Sequence, residues 1–241
     1  MTRTQFSQGL HLDPIASGSP EALVVMLADR GSSAAPLKPV ATRWARTVPT
    51  TVFIALDGIE QLEPVSFDHP EHARLDGHAE FTLIDPAARN LESDLERQLR
   101  SLRLNPSRLV LVGFGFGGTL ALHMVLHQGW SCAGVLTFAA KLIRPLPRVV
   151  GTVNKVRLIG CVGDVGHSSM RDDVTLLTQR GIDTRGVLLS GSALSDEAIR
   201  HGGAYLVELV ATAQRGDRFK EERTARGSPS GTQIRVRDAG R

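Results

Sequence analysis

The chain has 241 residues, 41% of them hydrophobic, a mass of 26.0 kDa and a net charge of +3. That length fits one α/β domain with a packed core, and no apolar run approaches the roughly 20 residues that span a bilayer. Two cysteines, Cys132 and Cys161, form no disulfide framework, and Met1 to Ser7 carries no apolar signal segment, so a reduced, cytoplasmic setting is expected.

Ala22 to Ala28 is a continuous apolar run, as expected of a strand buried on both faces. Pro36 to Thr47 reads as a helix, with Leu37, Val40 and Trp44 at helical spacing. Thr51 to Leu56 is a second buried strand, ended by Asp57-Gly58, and a polar stretch follows to about Thr82. Pro86 to Leu104 places Leu91, Leu95, Leu99 and Leu102 on one helical face. Arg108 to Val112 is a third strand, and Thr119 to Leu126 a helix. Ala133 to Phe138, Val156 to Val162 and Gly186 to Leu189 read as further strands. A Pro-bearing loop spans Leu142 to Gly151, Ser168 to Arg180 is helical, and a last helix starts near Ser195 with a negative first turn at Asp196-Glu197. Strands alternating with helices predict an α/β fold: a mainly parallel central sheet flanked by helices on both faces.

The charge is uneven. From Gln214 to Arg241 eight basic residues face four acidic ones, so this segment is +4 and the remainder −1. The expected organisation is a domain over residues 1–213 and a basic, flexible tail over 214–241. Such a tail can contact nucleic acid or anionic lipid, but a solvated terminus is the simpler reading, and nucleic acid is not expected as a partner.

The chemistry-bearing stretch is Gly113-Phe114-Gly115-Phe116-Gly117-Gly118, between a strand and a helix. Strand, glycine-rich turn, helix is the setting of the nucleophile elbow, G-x-S-x-G, yet its central position holds Gly115, which has no nucleophile. Gly113, Gly115 and Gly118 also fit G-x-G-x-x-G, but no Asp or Glu ends the next strand to hold a ribose, and no cofactor is expected. Phe6-Ser7-Gln8-Gly9 imitates an elbow motif without a strand leading into it and reads as coincidence.

From Ala22 to Val210 the chain resembles the phospholipase/carboxylesterase family of α/β-hydrolases. The likeness is carried by Asn105 to Phe114 running into Gly117 to Leu122, by Leu27 to Ser33, by Gly163-Asp164-Val165 and by Gly191 to Ile199. The resemblance implies an α/β-hydrolase fold and a site at these positions. The nucleophile position holds Gly115, the acid position Asp164 and the histidine position Ser192, with no histidine between His167 and His201. The oxyanion loop departs too, with Ala28 and Asp29 in place of His-Gly, followed by Arg30 and Gly31. A carboxylate there opposes developing negative charge. Gly115 tolerates elbow backbone geometry while removing the attacking oxygen.

The expected function is therefore a carboxylesterase-like protein that has lost Ser-His-Asp ester hydrolysis. It is expected to serve as a non-catalytic ligand-binding or protein-interaction module, with a small ester-like or anionic ligand in the former acyl pocket near Phe114, Phe116 and Arg30, beside the oxyanion-loop and pocket positions Asp29, Gly31 and Gly117. The alternative is an active esterase or thioesterase using displaced groups, with Ser32, Ser33, Ser168 and Ser192 as candidate oxygens. Asp164 also reads as a loop carboxylate held by backbone amides, and Cys161 as an inert core thiol. The His69 to Glu80 stretch gathers three histidines and several carboxylates and leaves metal-assisted hydrolysis open, although a solvated loop fits it better and no metal is assigned. Exposed sheet edges in such folds leave a homodimer open.

Overall fold

A computed structural model describes residues 6–59, 77–147, 155–161 and 170–226, with side chains described except at 77–83 and 215–226. The chain order is β1 (Gln8–Leu12), β2 (Ala22–Leu27), α1 (Lys38–Ala45), β3 (Thr51–Leu56), α2 (Gly77–Leu102), β4 (Leu109–Phe114), α3 (Phe116–Leu126), β5 (Gly134–Phe138), β6 (Lys155–Cys161), α4 (Met170–Gln179), β7 (Asp183–Leu189) and α5 (Asp196–Arg226). They build a seven-stranded sheet in the order β1-β3-β2-β4-β5-β6-β7. Only the β1–β3 pairing is antiparallel; the other described pairings are parallel.

The apolar runs alternate in space. Leu23, Val25 and Leu27 of β2 join the core on the side of α2, α3 and α4. Ala22, Val24 and Met26 join the core on the side of α1 and α5. A strand buried on both faces therefore needs an unbroken apolar sequence. β2 lies between β3 and β4, so the strand order reverses there. The crevice at the carboxyl ends of two strands at such a reversal is where open α/β sheets place their sites.

Two elements differ from the sequence reading. β1 pairs with β3 over Gln8 to Leu12 although its exposed residues give no apolar run. The Phe6-Ser7-Gln8-Gly9 segment thus leads into an edge strand and not a strand-to-helix turn. Helix α2 begins at Gly77, well before Pro86, which lies inside it. Ile84, Ala87, Ala88, Leu91, Leu95 and Leu99 are all buried, so packing on both sides of Pro86 outweighs its missing N–H. The final helix continues without a break past Ala213 to Arg226.

β6 carries a charge into the core. The Arg157 side chain is 0% exposed. Its Nη2 donates to Glu208 Oε1 at 2.7 Å and to Asp183 Oδ2 at 2.9 Å, and Nε donates to Glu208 Oε2 at 3.2 Å. Nη1 donates to the carbonyls of Val156 and Asp183, and the Tyr205 ring lies 5.9 Å away. A buried guanidinium is tolerated only when its donors are met in this way. The network fastens α5 to the β6–β7 end of the sheet.

The Arg157 hydrogen bond pulls the Glu208 carboxyl down to about 2 from an ordinary 4.5, with Lys155 adding to the effect against the opposing pull of burial. The folded value lies below the unfolded one. Glu208 therefore stabilises the fold fully above about pH 5, and that contribution fades as pH falls towards about 2. Glu208→Gln is expected to cost about 3 kcal/mol near neutral pH, because it leaves Arg157 short of a counter-charge. Urea denaturation should also show the variant losing less stability than the native chain between about pH 5 and pH 3. Equal acid sensitivity of the two proteins would remove this assignment.

Candidate functional site

The β4–α3 turn stands at the reversal point. Gly115 has φ 51° and ψ −121°, in the region that disfavours side chains. Its N–H donates to Phe138 O at 2.8 Å, and its carbonyl accepts from Gly118 N at 3.1 Å. The Phe114 and Phe138 rings stack at 4.6 Å, which joins the ends of β4 and β5. The neighbouring glycines are required by close approach. A Cβ at Gly113 would collide with the Gly118 backbone, and one at Gly117 with the carbonyls of Leu27 and Ala28. A sharp strand-to-helix elbow needs this compactness.

Asp29, on the loop after β2, closes over the turn. Its Oδ1 accepts from Phe116 N at 2.7 Å and from Arg30 N at 2.8 Å. A Cβ built on Gly115 would collide with all three atoms of the Asp29 carboxyl group. The carboxylate therefore occupies the space that a side chain on the turn would enter. Both walls contribute one backbone donor, and the first N–H groups of a helix favour negative charge.

The loop itself is held by the end of β3. Ser32 N donates to Asp29 O at 3.0 Å, and Gly58 N to Ser32 O at 2.8 Å. Ala34 N donates to Asp57 Oδ1 at 2.7 Å. Gly31 has φ 66°, and a side chain on Gly58 would strike the Asp29 carbonyl. The loop backbone is thus pinned while the Asp29 residue remains exposed to solvent.

The structure brings Asp29, Arg30, Gly115, Phe116 and Gly117 together where the loop after β2 meets the β4–α3 turn, while Gly31 lies further along that loop. Ser192 lies on the exposed turn after β7, where its carbonyl accepts from Ser195 N at 3.0 Å. Its neighbour Ala193 packs against the core that holds Phe114 and Phe138. Ser33 Oγ accepts from Ala35 N at 3.0 Å, so it acts as a local cap. Cys161 is fully buried at the end of β6. Asp164, His167, Ser168 and the His69 to Asp76 stretch lie outside the described residues, as do the side chains of 77–80. Among the described residues, no cluster of three potential metal ligands occurs.

The sequence reading missed a polar cluster behind the elbow helix. The buried His123 of α3 donates from Nε2 to Asp85 Oδ1 of α2 at 2.6 Å. Gln128 Nε2 also reaches Asp85 Oδ1, at 3.3 Å, and the His127 ring stacks on His123 at 4.8 Å. Burial pushes the His123 imidazole below its ordinary value, against the hydrogen bond and charge of Asp85. This cluster ties α2 to α3 roughly two turns from the elbow. His123 stands in an apolar helical run, and that placement was the available signal of a buried, partnered histidine.

The phospholipase/carboxylesterase family model matches residues 16–157, more than half of the chain. The chain belongs to this family. Among solved structures, esterase PE8 aligns with a TM-score of 0.70 at 22% identity, over 85% of this chain and 99% of that one. The Bacillus cereus carboxylesterase aligns at 0.65 and 13%, over 85% and 94%. YahD, in a structure with malic acid, aligns at 0.65 and 14%, over 85% and 100%. These likenesses establish the carboxylesterase-like α/β-hydrolase fold. Among curated proteins no sequence matches. No helix among the described residues is long and apolar enough to cross a membrane.

Gly115→Ser is expected to cost about 2 kcal/mol, from the positive φ and from the Asp29 carboxylate in the way. Asp29→Gly in the same chain should recover part of that loss. A double-mutant cycle by chemical denaturation should give a coupling of about 1 kcal/mol or more. Additive effects would show that the carboxylate does not occupy the turn.

Proposed function

We propose that the protein keeps the family's site architecture without its Ser-His-Asp ester hydrolysis, and acts as a non-catalytic ligand-binding module. Gly115 stands at the nucleophile position, Ser192 at the histidine position and Asp164 at the acid position. The observation that carries the reading is the Asp29 carboxylate hydrogen-bonded to Phe116 N at 2.7 Å over a side-chain-free Gly115. An acyl-transfer site needs an attacking oxygen, a base to take its proton and donors free for the oxyanion. Gly115 supplies no oxygen, Ser192 no imidazole, and Asp29 places negative charge where the oxyanion would form.

The loop change reinforces the turn change. Restoring serine at Gly115 alone would set its side chain against the Asp29 carboxylate and would supply no imidazole. The ligand class this crevice supports best is a small carboxylate, since backbone N–H donors already hold a carboxylate there. The YahD structure with malic acid shows the same fold with such an acid.

Short-chain p-nitrophenyl esters and a fluorophosphonate probe test the reading on the full chain. The native protein and Gly115→Ser are both expected to give no hydrolysis above buffer and no labelled serine. Native turnover at ordinary enzyme rates, about 1 to 1,000 per second, or a labelled native serine would overturn it and point to a displaced nucleophile.

A further inference from the structure

The stacked histidines of α3 join three elements. His123 bonds Asp85 of α2, and His127 Nε2 donates at 3.2 Å to the Ile143 carbonyl, in the loop after β5. The two rings stack at 4.8 Å with their planes 20° apart. The loop is seated by the buried Leu142, Ile143 and Leu146. It also reaches the β4–α3 turn: Lys141 N donates to Thr119 Oγ1 at 3.0 Å, and that hydroxyl donates to Gly115 O at 3.4 Å. Arg144 pairs with the buried Asp173 of α4.

A charge on one ring disfavours a charge on the other at this separation. Among the described residues the carboxylate facing the pair is Asp85, and Arg89 lies 3.7 Å from its second oxygen. Gln128 adds a neutral donor to the same carboxylate. α3 contains no acidic residue, and the charged residues of the loop over 139–147 are Lys141 and Arg144. Arg144 already occupies Asp173. A second proton on the pair therefore adds a like charge at stacking distance, with one shared carboxylate to offset it. Burial lowers the His127 imidazole, and His123 lowers it further, against the Ile143 carbonyl and Asp85. The His123 side chain is 0% exposed and His127 is half-buried, so His127 is the ring with a path to water.

We propose that the stacked pair is an acid-sensitive latch on the loop after β5: with at most one ring charged it holds the loop on α3, and a second proton drives His127 off the stack and loosens the loop beside the β4–α3 turn. The latch is distinct from the Asp29 contact and operates whether or not the turn retains catalysis. Both folded imidazoles lie below the ordinary value near 6.5. Their contribution to stability is therefore complete above about pH 6.5 and is lost as pH falls through the folded values. That window lies above the one in which Glu208 loses its contribution.

The test follows imidazole resonances and amide hydrogen exchange in the full-length protein from about pH 7 to about pH 5, with exchange corrected for its intrinsic pH dependence. The two rings are expected to titrate as a coupled pair. Protection of the Lys141 and Ile143 amides should fall at least about tenfold over that range, while the β4 amides keep theirs. His127→Gln keeps a donor for the Ile143 carbonyl but takes up no proton, so its loop protection should not change with pH. His127→Phe, which keeps a ring without a charge, serves the same purpose if His127→Gln does not fold. Four results overturn the proposal: unchanged loop protection in the native chain, the same loss in the folded variant, both rings protonated with the loop still protected, or equal loss at the β4 amides, which reports global unfolding.

Discussion

The hydrogen bond from Phe116 N to the Asp29 carboxylate joins the two strands between which the sheet reverses order. β2 and β4 run parallel and deliver their carboxyl ends to one crevice. The loop after β2 and the turn after β4 must then share a small space. Gly113, Gly117 and Gly58 make that approach sterically feasible, because a Cβ at each would meet backbone. Gly115 puts no side chain into the turn, and the Asp29 carboxylate occupies the space that a Cβ there would enter. Shape and charge at the site follow from this single packing solution.

The residues where the two loops meet are mutually consistent. A turn residue at φ 51° is strained for any side chain, so glycine relaxes the backbone. The freed volume admits a carboxylate from the opposite loop. That carboxylate accepts from two backbone donors, Phe116 N and Arg30 N. Fold similarity to esterases leaves the chemistry to be argued from these residues, since function resides in the site and not in the scaffold.

Away from the crevice, two buried polar clusters set how the helices sit on the sheet. Arg157 with Glu208 and Asp183 fixes α5 against β6 and β7. His123 with Asp85 fixes α2 against α3. Each replaces nonspecific apolar contact by a directional one, which is costly to break and which specifies register between elements. The Trp44 indole adds a third such link, donating to the Ile199 carbonyl at 3.1 Å and stacking beside Phe138. These links position the scaffold on which the crevice is built.

Much of the fold was legible in the sequence because burial on both faces demands unbroken apolar runs. Ala22 to Leu27, Thr51 to Leu56 and Leu109 to Val112 could be read as strands for that reason. β1 escaped because an exposed edge strand needs no such run, and the start of α2 escaped because Pro86 looks like a helix start when its packing is unseen. The glycines of the β4–α3 turn were legible as residue types at fixed spacing. What the sequence determined was thus the scaffold and a glycine, which carries no side-chain oxygen, at the centre of the turn. Only the tertiary structure decided what lies against it. Asp29 is 86 residues away in the chain from Gly115, and its carboxylate reaches the turn only because β2 and β4 are neighbours in the sheet. Local spacing encodes local geometry, but a contact across the reversal point exists only once the sheet has closed around it.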